Sequence, residues 1–146
     1  MKILIVSMLL FMKSIFAIDL PKEIQSVKIP QELAEQVMDK LNKEELSDGL
    51  NLAKKYWVIP DREIDALIST VTRQWKIVNR RFGKYISYEL IKTQKISDTF
   101  IRYYYLQKFE KHALYWQFTF YKPKDEWYVN KISFKDNMDI LFDINQ

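Results

Sequence analysis

The spacing of apolar positions along this chain of 146 residues changes once, near residue 84. Before that point apolar residues recur every three or four positions; after it they alternate. Pro30 suits the first turn of a helix. Leu33, Ala34, Val37, Met38 and Leu41 follow on one stripe and predict a first helix over 31–42. A second is predicted over 44–57, with Leu46, Leu50, Ala53 and Trp57 on one face and Glu44 and Glu45 in its first turn. Pro60 and Asp61 suit a restart. A third helix then places Ile64, Leu67, Ile68, Val71, Trp75 and Val78 on one side, and Gly83 stops it.

From there the period is two. Tyr85 to Lys95, Phe100 to Glu110, Ala113 to Lys122 and Trp127 to Phe134 read as four strands rich in aromatic and β-branched residues. Turns are expected at Ser97-Asp98, Lys111-His112 and Pro123-Lys124-Asp125. Connections this short do not allow parallel crossovers, so an antiparallel meander follows. In the third strand Leu114, Trp116, Phe118 and Phe120 should face the helices, and Tyr115, Gln117, Thr119 and Tyr121 the other way. In the second, Ile101, Tyr103 and Tyr105 should turn inward and Arg102, Tyr104 and Lys108 outward. Burying Trp127, Val129, Ile132 and Phe134 together requires a bulge in the fourth. Asp136 is expected to cap a short final helical turn with Met138, Leu141 and Phe142. The fold class is therefore α+β: three N-terminal helices packed on a curved four-stranded antiparallel sheet in two layers, with a short C-terminal helical turn.

The first residues follow neither period. Lys2 precedes an apolar run over 3–12 broken only by Ser7, and Ala17 offers a small residue for cleavage. The run is short of the roughly 20 residues a spanning helix needs, and Lys13 interrupts it. The expected organisation is a signal peptide over 1–17, a polar lead over 18–29 and a single domain over 30–146. Cleavage would leave 129 residues, enough for one core, and would lower the formal net charge from +4 to +2. So small a charge gives little reason to expect nucleic-acid binding. The chain has no cysteine, which excludes disulfides, thiolate chemistry and lipidation at an N-terminal cysteine. The expected location is the periplasm of a Gram-negative bacterium, or otherwise secretion, with no stable membrane anchor.

Tyr56-Trp57-Val58-Ile59-Pro60, Arg81-Phe82-Gly83, Tyr104-Tyr105, Phe120-Tyr121-Lys122-Pro123 and Glu126-Trp127 resemble a group of small exported bacterial proteins of unknown function. Helices followed by a curved sheet look like the cystatin-like or NTF2-like superfamily, over about residues 30–142. The chain departs from the usual NTF2-like order, which sets a strand among the helices; none is evident before residue 84. The resemblance implies a fold and no particular activity. Its enzymes place Asp or Glu between sheet and helices, which makes Glu89, the one carboxylate well inside the first strand, a candidate.

Chemical motifs are sparse. His112, the one histidine, falls in a predicted turn, and two glycines leave little backbone for cradling phosphate. No metal site or cofactor is expected. Nine tyrosines are the most suggestive feature, because a tyrosine joins an apolar face to a polar tip. Arg102, Tyr104, Tyr115, Gln117 and Tyr121 are expected to share the outer sheet face, with Glu89 near its rim; these six are the candidate binding residues. The expected function is a non-catalytic domain that binds a partner protein, a second copy of itself or a small apolar ligand through the sheet or the sheet–helix cavity. The alternative is a small hydrolase or isomerase using carboxylate and tyrosine acid–base chemistry.

Overall fold

The computed structural model describes residues 21–143, so the expected signal peptide and residues 18–20 of the lead lie outside the described residues. Three helices come first: α1 (Pro30–Asn42), α2 (Leu46–Lys54) and α3 (Asp61–Phe82). Four strands follow, β1 (Tyr85–Ile96), β2 (Phe100–Phe109), β3 (Ala113–Tyr121) and β4 (Tyr128–Lys135), and then a short α4 (Asp139–Asp143). The strands pair in the order β1-β2-β3-β4, each antiparallel to its neighbour, so the sheet is the expected meander. No strand precedes β1 among the described residues. No helix of the described residues is long and apolar enough to cross a membrane.

The apolar stripes of α1 and α3 are buried almost as expected; only Leu67 is half-covered. The second helix is shorter than its stripe. Glu44 has φ of +60°, a left-handed conformation that cannot belong to an α-helix, so the helix starts two residues later than predicted. At its other end Trp57 leaves the helix and bridges Val129 in parallel fashion, while its indole Nε1 donates to the Asn130 carbonyl at 3.2 Å. Burial of Leu46, Leu50, Ala53 and Trp57 together therefore comes from a helix plus a bridge to the sheet edge, which periodicity alone cannot distinguish from a longer helix.

The polar lead is also structured where it is described. Val27 is buried and bridges Trp127. Lys22 contacts Asp61 at 2.6 Å and donates to the Lys54 carbonyl.

The core forms where α3 meets the inner sheet face. Trp75 sits about 6 Å, centroid to centroid, from each of Phe109, Trp116 and Phe134. Trp116 in turn donates its indole N–H to Gln107 Oε1 at 2.9 Å, which gives two buried polar groups one shared bond. The expected bulge in β4 is present: Thr119 pairs with Lys131 but Phe120 with Val129, so Asn130 is the extra residue. Two further bulges lie in β1, at Ile86 and Ile91. At the first of these Ile86 is 60% exposed. Bulges in this open edge strand disrupt its ladder and make it a poor template for edge-to-edge pairing. The final turn is capped by Asn137, whose side-chain oxygen accepts the Asp139 N–H at 2.9 Å, rather than by Asp136.

Gly83 closes α3 at φ +84° and ψ −158°, a region open to glycine alone. A Cβ there would lie 3.1 Å from the Glu110 Cβ. Gly83→Ala should lower unfolding stability by about 1–3 kcal/mol, read as a reduced urea midpoint at unchanged m-value.

Candidate functional site

The strand register sorts the outer face into rows that run across the sheet. One row is Gln94, Arg102, Thr119 and Lys131. Beside it runs Ile96, Phe100, Tyr121 and Tyr128, and on its other side Lys92, Tyr104, Gln117 and Ser133. A further row holds Glu89, Leu106, Tyr115 and Lys135. All six candidate residues therefore occupy the face away from the helices, but they do not form one site.

Arg102 is the organising group. Its Nε donates to Thr119 Oγ1 at 2.8 Å, and its Nη1 lies 3.4 Å from the Tyr104 hydroxyl. That hydroxyl donates onward to Gln94 Oε1 at 3.0 Å. The guanidinium is thus held by neutral partners on two strands, with Gln94 joining from a third through Tyr104, and no described carboxylate lies within ion-pair distance of it. Beside it is a pocket of about 150 Å³ lined by Gln94, Ile96, Phe100, Arg102, Thr119 and Asn130. Phe100 and Tyr121 stack at 4.7 Å on its apolar flank.

The remaining candidates separate from this pocket. Tyr115 is fully buried and packs its ring against Tyr104 at 6.3 Å, so neither ring offers the open face of a tyrosine platform. Burial raises the Tyr115 hydroxyl above the ordinary tyrosine range. Gln117 and Thr119 are also buried, whereas Tyr121 is exposed. Glu89 is opposite Leu106, four residues along β2 from Arg102, about 13 Å at the usual strand rise. It faces Lys108 at 3.7 Å in an exposed ion pair and takes no part in the pocket. His112 is exposed in its turn, with Nε2 3.0 Å from the Asp136 carbonyl oxygen and its ring edge-on to Phe82.

A second constellation was not anticipated. Tyr88 donates to Asp39 of α1, and Glu35 of the same helix acts electrostatically on Tyr103 and Tyr105. Burial, reinforced by these carboxylates, pushes the Tyr88 and Tyr105 hydroxyls far above the ordinary tyrosine value, and Tyr103 and Tyr85 upward as well. Hydroxyls held protonated in this way cannot serve as bases near neutrality. The only sequence signal was Glu35 and Asp39 standing four apart on one helix face, and nothing pointed them at a tyrosine.

Gln94, Ile96, Phe100 and Asn130 were missed as members of the Arg102 pocket. The hairpin at Ser97-Asp98 carried a usable signal, because a tight turn there pairs Ile96 with Phe100 and hence Gln94 with Arg102. Asn130 enters through the β4 bulge, whose position the sequence left open.

Another groove, of about 450 Å³, lies between the end of α3 and the end of β4, lined in part by Ile77, Arg81, Phe134 and Lys135. Its rim residues Gln74, Arg81 and Lys135 make no hydrogen bonds to one another. Among the described residues no cluster of three or more His, Cys, Asp or Glu side chains is arranged to hold a metal ion. No protein-family model, curated protein or solved structure matches the chain.

The raised tyrosines link stability to alkaline pH. Each folded-state pKa lies above its unfolded value, so the stabilisation is complete below about pH 10 and is lost as pH rises through the folded values. Urea midpoints should therefore fall steadily above pH 10. The fall should be smaller in Tyr88→Phe, which removes one of the linked groups.

Proposed function

We propose that the chain is exported and that its folded part is a non-catalytic binding domain of cystatin-like or NTF2-like type, engaging its partner through the outer sheet face. Export rests on the sequence alone: Lys2, the apolar run over 3–12 and Ala17. The superfamily reading rests on helices followed by an antiparallel meander with an aromatic inner face. Helix-first order alone is shared by other α+β proteins, so the resemblance adds fold and not activity.

One observation carries the binding reading. Arg102 is oriented by Thr119 and Tyr104, has no carboxylate partner among the described residues, and lines a pocket. A guanidinium held in place and left unpaired is arranged to meet something outside the chain. The sheet–helix layer supports the reading by contrast. It is occupied by Trp75, Tyr105, Trp116, Phe118 and Phe120, all buried.

Of the partners considered, a second copy meeting face to face is the least favoured. Arg102, Lys108, Lys131 and Lys135 stand outward against the one strand carboxylate, Glu89, and two such faces would repel. The hydrolase or isomerase reading gains no support, because Glu89 is paired in solvent and the tyrosines near Glu35 and Asp39 are held protonated.

Expression of the full chain in an exporting host tests both halves. Intact mass should show loss of residues 1–17, within a few residues, in the exported fraction. Native mass spectrometry of the recovered protein should show a ligand or partner that Arg102→Gln no longer retains. An uncleaved chain in the cytosol would refute export. A bare monomer under all conditions would count against the binding domain.

A further inference from the structure

We propose that the Arg102 pocket binds a small organic carboxylate whose acid group is joined to a flat apolar or aromatic body; this rests on the outer-face reading above. A guanidinium has five N–H donors. Two are directed to Thr119 and Tyr104, and they fix the plane of the group. The rest remain for a ligand, and a planar fork matches a carboxylate through two parallel hydrogen bonds. Lys131, opposite Thr119 in the same row, adds a second positive charge. The amides of Gln94 and Asn130 line the same space.

The apolar half of the ligand follows from the adjacent row. Ile96 is 71% exposed, and the stacked Phe100–Tyr121 pair continues the wall away from Arg102. Charge on one side and apolar surface on the other select a molecule built the same way. The volume, about 150 Å³, is well below the few hundred Å³ usual for drug-sized ligands. It therefore suits an acid group with one ring or a short chain. Phosphate fits less well, since it is commonly cradled by successive backbone N–H groups in glycine-rich loops. Gly49 and Gly83, the only glycines, both lie outside this pocket.

The test uses the isotope-labelled full chain and three probes: phenylacetate, its neutral analogue phenylacetamide, and inorganic phosphate. Phenylacetate should shift the Arg102 Nε–H, Thr119 and Phe100 signals saturably. Phenylacetamide should bind at least about tenfold more weakly, since it forfeits the charge-assisted pair. Arg102→Gln should weaken phenylacetate by a similar factor. Its side chain points away from the core, so the fold should persist; should it not, the acid–amide comparison in the unaltered chain decides alone. Equal shifts from acid and amide on this face would overturn carboxylate recognition and leave outer-face binding standing. Shifts confined to the groove between α3 and β4 would overturn both. Phosphate binding as tightly as phenylacetate would reduce the site to an adventitious anion and overturn the proposal. A peptide ending in phenylalanine that binds more than tenfold tighter than phenylacetate would replace the small acid with a chain terminus.

Discussion

Everything on the sheet depends on Trp75 finding Phe109, Trp116 and Phe134 from the far side of the core. A tryptophan and its aromatic neighbours bury large apolar surfaces, and that burial drives the layers together. The contact fixes which face of β3 turns inward. Because the side-chain period in a strand is two, it fixes the outer face at the same time. Tyr115, Gln117 and Thr119 lie outward because Trp116 and Phe118 lie inward. The register then carries Arg102 to Thr119 and Gln94 to Arg102 without further instruction.

The two faces differ in how they use polar groups. On the inner face they are few and kept neutral: Gln107 accepts from Trp116, the Trp75 indole N–H has no hydrogen-bond partner among the described residues, and the tyrosines near α1 stay protonated. On the outer face they form a chain from Gln94 through Tyr104 and Arg102 to Thr119, crossing three strands. That chain uses neutral groups to hold a cation. A structural arginine is commonly answered by a carboxylate, and Glu89, the one carboxylate within the four strands, is answered by Lys108 instead. The separation of these two charges on one sheet face distinguishes a poised guanidinium from an ordinary surface ion pair.

Irregularities in the strands shape the sheet's edges and the pocket. The bulge at Asn130 lets β4 bury Val129 and Ile132 on one face, and it also brings Asn130 to the Arg102 pocket. The bulges at Ile86 and Ile91 re-aim apolar residues on the open edge of β1. At the other edge, Val27 and Trp57 bridge the start of β4, so a lead and an interhelical turn complete the sheet where a fifth strand would otherwise stand.

The sequence by itself determined the fold class, the order of elements and the inward or outward sense of nearly every residue in β2 and β3, because periodicity reports which side of an element is apolar. It also determined that six polar or aromatic residues would share the outer face. Tertiary structure alone decided which of them meet. Glu89 and Arg102 share a face but lie rows apart, while Tyr115 is buried where an open ring was expected. It also decided that Trp57 leaves its helix for the sheet, since a helical stripe and a bridge to a strand edge bury the same residues. Asp39 meeting Tyr88 and Asn130 meeting Arg102's pocket depend on a packing contact and a bulge position. Neither is encoded in local spacing, because both are set by how two distant segments settle against a shared core.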